Sequence, residues 1–140
     1  MISTLPIVVR STEVDMLGHV NNSVYQQWFE WGRFEWVRNA DFDGDALKDQ
    51  GIALVVVHVA IDYRREARRD DALTIETALA KVGRSSVTFR QRVVHADGGV
   101  AAEGKVVLAC FDLRARAAAR LPSDVRATLL SAETDALGSS

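Results

Sequence analysis

One short stretch of this chain, D-M-L-G-H-V-N-N-S-V-Y from Asp15 to Tyr25, gathers residue types that can act on a carbonyl group. It runs into an aromatic-rich segment with helical spacing that reaches Trp36. The first N–H groups of a helix have no intrahelical partner, and the aligned peptide dipoles place partial positive charge there. Asn22, Ser23 and Val24 are therefore expected to offer donors to an anion or to an oxygen gaining charge. Asn21 or Asn22 can cap the helix, and Gly18 can take a turn conformation closed to other residues. Asp15 lies far enough upstream for the loop to fold it over the helix end. A carboxylate and an oxyanion site would then share one pocket. Taken singly, each residue has a plainer use, since loop aspartates mostly serve turns and caps. The combination with an apolar helix points to a reaction centre.

The elements that must position these residues follow from periodicity. Leu5 to Arg10 reads as a first strand, and Ser11 to Asn21 as loop. From Asn22 to Asn39, Tyr25, Trp28, Phe29, Gly32 and Trp36 recur at helical spacing, opposite a polar side carrying Gln26, Glu30, Arg33 and Arg38. Val24, Trp31, Phe34 and Val37 widen the apolar arc, which predicts a largely buried helix. Gly32 in its middle lowers helix propensity unless a neighbour packs closely there. Asp41 to Gln50 is acidic, with a short helical turn over Ala46 to Asp49. Ile52 to Arg64 is the strongest strand signal. Apolar residues on both its faces predict a central strand covered on both sides, with His58 and Asp62 as exceptions on one face. Further strands are expected over Leu73 to Leu79, Ser86 to His95 and Val100 to Leu113. Asp97-Gly98 would supply the positive φ angles of a tight hairpin. Pro122 opens a C-terminal helix that runs to about Leu130.

This order implies an α+β fold, with about five antiparallel strands curled around one long central helix. Residues 1–131 read as a single domain and 132–140 as a disordered tail. The outer face of such a sheet would need cover, which predicts a homo-oligomer.

Composition narrows the partners. The chain has 140 residues with 17 Lys and Arg against 19 Asp and Glu, so no global charge favours nucleic acid or an acidic membrane. The single cysteine, Cys110, excludes an internal disulfide and sits among Leu108, Ala109 and Phe111 as a small hydrophobe. Met1 to Arg10 lacks the basic start and apolar length of a signal peptide, and no later segment is long enough to span a bilayer. The expected setting is cytoplasmic, without membrane or nucleic-acid partners. His19, His58 and His95 have no metal-site spacing, and no cofactor is expected.

The loop motif resembles that of the hotdog-fold acyl-CoA thioesterases of the 4-hydroxybenzoyl-CoA thioesterase group, roughly D-x-x-G-x-V-x-x-x-x-Y. The segment I-A-L-V-V-V-H-V-A-I-D-Y-R-R from Ile52, followed by D-A-L-T-I from Asp71, is similar to the bacterial long-chain enzymes of the FadM type. The likeness covers about residues 6 to 114. The D-x-N-P-x-H pattern of hotdog hydratases is absent. The resemblance implies a hotdog fold paired edge to edge into homodimers or homotetramers, with active sites at the dimer interface. It makes Asp15 the catalytic carboxylate and sets the Asn22 N–H against the thioester carbonyl. His19, Asn21 and Tyr25 would lie around the substrate, Tyr25 with a structural part.

Further expectations attach to an acyl-CoA substrate. Asp15 could attack directly or act as base on a water. His58 could line the site, or form a satisfied polar pair with Asp62. Trp28 and Trp31 could line an acyl slot. Basic residues are needed for the CoA phosphates, and Arg64, Arg65, Lys81 and Arg84, with Ser85, are the candidates. Two readings follow: a thioesterase acting on medium- to long-chain or aromatic acyl-CoA in fatty acid metabolism, and a non-catalytic acyl-CoA-binding hotdog protein. An intact Asp15 favours the enzyme, because a binding module needs the donors and the slot but not the acid.

Overall fold

The computed structural model describes residues 1–40 and 42–138. Asp41, expected in the acidic loop, and Ser139 and Ser140, expected in the tail, lie outside the described residues. The stretches with strand periodicity become β1 (Ile2–Val8), β2 (Ile52–Tyr63), β3 (Ala72–Val82), β4 (Ser86–His95), β5 (Val100–Asp112) and a two-residue β6 (Ala117–Ala118). The helices are α1 (Asn22–Asn39), α2 (Gly44–Asp49) and α3 (Ser123–Ala132). All strand pairs are antiparallel, in the order β1-β3-β4-β5-β2, with β6 on β5. The sheet curls around α1 as the α+β reading expects. β1 starts and ends earlier in the chain than the apolar run suggested.

Helix α1 buries Tyr25, Trp28, Phe29, Gly32 and Trp36, the same face that the 3.6-residue period marks. Trp28 and Phe29 pack with Ile75, Val93 and Ala102, whereas Trp36 packs with Leu79, Phe89, Leu121 and Leu129. Burying each large apolar side chain stabilises the fold by roughly 1.5 to 3 kcal/mol before entropy is counted. Gly32 marks the closest approach of helix to sheet. A Cβ there would lie 2.6 Å from Thr77 Oγ1 and 2.7 Å from Ile75 Cγ2. Beneath it is a polar layer, in which Gln91 Nε2 donates to Phe29 O at 2.7 Å and Thr77 Oγ1 at 2.9 Å. Arg33 Nη1 donates to Gln91 Oε1 at 3.1 Å, so every side-chain atom of that amide is used.

The position of β2 corrects the sequence reading. It is an edge strand paired only with β5, and Val55, Val56 and Val57 are exposed, Val57 at 61%. Its apolar residues on both nominal faces have another cause. The register against β5 slips between Val56 and His58, leaving Val57 as a bulge. Such an insertion reverses the alternation. Leu54 and Val56 before it, and Val59 and Ile61 after it, therefore all face the helix side. His58 and Asp62 are exposed and do not form a buried pair; Asp62 lies 3.8 Å from Arg64 instead.

The outer face of the sheet also differs from expectation. It carries a charged ladder, Glu76 opposite Arg92 and Arg92 opposite Glu103, with Arg90 opposite Lys105. Arg92 Nε lies 3.1 Å from Glu76 Oε1 and Arg64 Nη2 lies 2.7 Å from Glu103 Oε1. Such a face is wetted by its own charges and does not call for cover. Exposed apolar side chains lie instead at the β2 edge, at Phe34, at Val8 and at Met16 and Leu17 in the loop before α1. At the β4–β5 hairpin only Gly98 has positive φ, at 89°, and Gly98 N–H donates to His95 O at 2.9 Å. The turn therefore uses one left-handed residue, not the two of the tightest hairpin. After α3 the chain stays on the sheet, where Thr134 N–H donates to Leu79 O and Glu133 accepts from Val82 N–H.

Candidate functional site

The loop before α1 is a small closed structure. Val14 and Val20 form an antiparallel bridge, Asp15 N–H donates to His19 O at 2.8 Å, and Gly18 N–H donates to Asp15 O at 3.0 Å. Gly18 has φ of 79° with open space where a Cβ would point, so the backbone angle is what the position requires. The Asp15 side chain is exposed. Its Oδ1 accepts from Leu17 N–H at 2.9 Å and His19 N–H at 3.1 Å, and Oδ2 has no partner among the described residues. One oxygen holds the turn and the other faces no donor among the described residues.

Asn21 is the N-cap of α1. Its Oδ1 accepts from Ser23 N–H and Ser23 Oγ, each at 3.1 Å, and its carbonyl accepts from Val24 N–H at 2.9 Å. The three donors expected at this end thus reduce to one, because the cap takes the amides of Ser23 and Val24. The Asn22 N–H has no acceptor among the described residues, while its carbonyl accepts from Tyr63 Oη at 3.3 Å.

Tyr25 is in the core, edge-on to Trp28 at 5.1 Å and to Tyr63 at 5.2 Å. Burial, with Tyr63 beside it, pushes its phenol up to about 12. An acid whose folded pKa is raised favours the folded state below its ordinary pKa of 10 and loses that preference as the unfolded chain ionises first. We therefore expect stability to fall as pH rises from about 10 toward 12, and Tyr25→Phe to flatten that limb of a Tm against pH profile. An unchanged profile in the Phe variant would show that Tyr25 is not the group responsible.

The other candidates are dispersed. The His19 ring pairs with Glu66, Nε2 to Oε2 at 2.8 Å, which ties the loop to the β2–β3 connection. His58 is on the exposed edge strand. Arg64 and Arg65 are near the loop end of the sheet but are bonded to Glu103 and Asp97, at 2.7 and 2.8 Å. Lys81, Arg84 and Ser85 are at the other end. β3 has 11 residues, so at roughly 3.3 Å per residue its ends lie on the order of 30 Å apart. Within one chain, Asp15 and His19 share the loop closed by the Val14–Val20 bridge, Asn21 and Asn22 follow it at the start of α1, and the basic turn does not join them.

The apolar slot is not at Trp28, which is fully buried, nor at Trp31, which borders a separate crevice with Pro6 to Arg10. It arises because α1 packs over β1, β3 and β4, leaving the β5–β2 side of the concave face open. One helical turn beyond Asn22, a crevice lies between Gln26, Gln27, Phe29 and Arg33 on one side and Val56 and Val59 on the other. It meets a cavity of about 690 Å³ whose walls include Phe34, Val37, Phe42, Leu47, Leu54 and Leu108. That size suits a small-molecule group, and the lining is mostly apolar. Burial pulls the Arg33 guanidinium below its ordinary pKa, with Glu30 opposing the shift. Phe34 is 60% exposed here, so of the wider apolar arc Phe34 and Val37 form groove wall, whereas Val24 and Trp31 pack against the core.

Sequence reasoning passed over Glu13. It is buried, its Oε2 accepts from Trp28 Nε1 at 2.8 Å and its Oε1 from Arg10 N–H at 2.7 Å. Its one sequence signal was an acid just upstream of Asp15 in a chain with an indole on the next helix.

The family model described as the thioesterase-like superfamily matches residues 9–129. The long-chain acyl-CoA thioesterase FadM of Escherichia coli K12 is 32% identical over 124 residues, covering 88% of this chain and 93% of that one. The acyl-CoA thioester hydrolase YbgC of Escherichia coli O6:H1 is 32% identical over 107 residues, covering 76% and 80%. Among solved structures, the probable thioesterase YbaW from Escherichia coli superposes with a TM-score of 0.83 at 30% identity, over 94% of this chain and 99% of that one.

Proposed function

The chain belongs to the thioesterase-like superfamily, and on that premise we propose that it hydrolyses the thioester of medium- to long-chain acyl-CoA to free acid and CoA. The observation that carries the reading is a half-free carboxylate at Asp15, on the loop closed by the Val14–Val20 bridge, with an acceptor-free helix N-terminal amide at Asn22 just beyond that bridge. Hydrolysis needs both. The thioester oxygen gains negative charge as the carbonyl becomes tetrahedral, and a preorganised donor such as Asn22 N–H stabilises it by about 3 to 4 kcal/mol. Asp15 Oδ2 either takes a proton from the attacking water or attacks to give a mixed anhydride that water then opens. The CoA thiolate leaves without strong acid assistance.

The groove between α1 and β2 receives the acyl chain. Thiol release from a panel of acyl-CoAs, short aliphatic through long-chain and aromatic, tests the reading; turnover of no member, with binding retained, would leave a non-catalytic acyl-CoA-binding protein. Leu54→Trp, which fills the groove wall, is expected to raise KM for long-chain esters by roughly tenfold, the equivalent of about 1.4 kcal/mol, while sparing short ones. Equal KM changes across the panel would put the acyl chain elsewhere.

A homodimer formed through the β2 edges completes the proposal. The open ladder and the exposed valines at Val55 to Val57 support it. Antiparallel pairing would bring the Lys81, Arg84 and Ser85 turn of one copy toward the loop of the other, where it would meet CoA phosphates. We read the setting as cytoplasmic, which suits Cys110, a free and buried thiol.

A further inference from the structure

We propose that Glu13 is a positioning residue that fixes Asp15 relative to the Asn22 amide, an inference that rests on the thioesterase reading. Glu13 is a buried carboxylate with no ion-pair partner among the described residues, and the chemistry above does not use it. A polar group in such a place is held by its hydrogen bonds, here one neutral donor on each oxygen. What those donors belong to gives the residue its role. Oε1 takes the Arg10 amide where β1 passes into the loop, and Oε2 takes the indole of Trp28, one of the core residues of α1. The Glu13 carbonyl accepts from Asn21 N–H at 3.0 Å, beside the Val14–Val20 bridge, so the base of the Asp15 loop is pinned through backbone and side chain of one residue.

The alternative ties are weaker. The Asp15 side chain bonds only within its own loop, and the His19–Glu66 pair is partly exposed and leads to the β2–β3 connection, not to α1. Where the Asn21 cap holds only the first turn of α1, Glu13 ties the base of the loop bearing the acid to the buried body of that helix. Asp15 and Asn22 must act on one carbonyl group, and a small misplacement of such a pair lowers the rate of the chemical step more than the affinity for substrate.

The test uses full-length wild type, Glu13→Gln, Trp28→Phe and the double variant, with Asp15→Asn as the reference for loss of the reacting group. Glutamine keeps one acceptor oxygen, so it can serve only one of the two donors. In steady-state thiol release we expect kcat to fall about ten- to a hundredfold with KM little changed. Trp28→Phe should give a comparable fall, and the double variant should fall by less than the product of the two singles, because both changes act on the one pair of bonds at the Glu13 carboxylate. Amide hydrogen exchange at Leu17 and His19 should quicken in Glu13→Gln while that of β4 and β5 does not. A lower Tm with unchanged kcat would overturn the proposal, since a purely structural carboxylate moves only stability. If Glu13→Gln does not fold, Trp28→Phe carries the same comparison. If wild type cleaves no ester, the thioesterase reading fails, and exchange at Leu17 and His19 decides by itself whether Glu13 holds the loop.

Discussion

Asp15→Asn is expected to lower kcat for acyl-CoA hydrolysis by about three orders of magnitude while leaving KM and Tm near wild type. The isolation of the effect comes from how the side chain is used. Oδ1 accepts the Leu17 and His19 amides that shape the turn, and asparagine retains an oxygen for both. Only the free oxygen is exchanged for an amide nitrogen, which neither abstracts a proton nor attacks a carbonyl. Thiol release measured beside a thermal melt separates the two effects. An Asn variant that keeps most of the wild-type rate would show that the carboxylate is not the reacting group, whatever the fold resembles.

Gly32→Val is expected to destabilise the protein by about 3 kcal/mol or more. Replacing a mid-helix glycine ordinarily gains some helix propensity. Here the gain is outweighed, because the first added carbon meets Thr77 Oγ1 at 2.6 Å, Ile75 Cγ2 at 2.7 Å and Gln91 Nε2 at 2.9 Å. The helix must rise off β3 and β4, which also pulls Phe29 O away from the Gln91 amide and leaves buried polar atoms unpaired. Urea unfolding reads the loss directly, with Gly32→Ala as a smaller step in the same direction. An unchanged midpoint would mean that α1 can ride outward without losing the layer beneath it.

Much of this architecture is legible in the sequence because it depends on local period. The buried face of α1 follows from residues spaced by turns, and the residues before the apolar run narrow the N-cap to Asn21 or Asn22, the structure choosing Asn21. What could not be read depends on how distant segments meet. A one-residue insertion at Val57 leaves no local mark, since valine serves equally on either side of it, and so an edge strand resembles a central one. The charges of Arg64 and Arg65 suggest a phosphate site until Glu103 and Asp97 arrive opposite them from β5 and its hairpin. Phe34 looks like core until the helix is found to lie over β1, β3 and β4 and to leave β2 apart. Glu13 illustrates the same limit at the site. Its type is that of a solvent-facing acid, and only the fold brings the Trp28 indole to it.

The edge position of β2 has a consequence for the chain before it is fully assembled. From Ile52 to Ile61 the strand carries no proline and no formal charge apart from what His58 can acquire, and it is dominated by valine. This is the composition that templates growth by foreign strands when its ladder is open. The protections are few: the Val57 bulge breaks the regular spacing of donors and acceptors midway, and charged residues, Lys48 and Asp49 before the strand and Asp62, Arg64 and Arg65 at its far end, act as gatekeepers. A newly made copy with an uncovered β2 is therefore an aggregation hazard, and charge placed at Val55 or Val57 would trade that hazard against whatever the edge is built to meet.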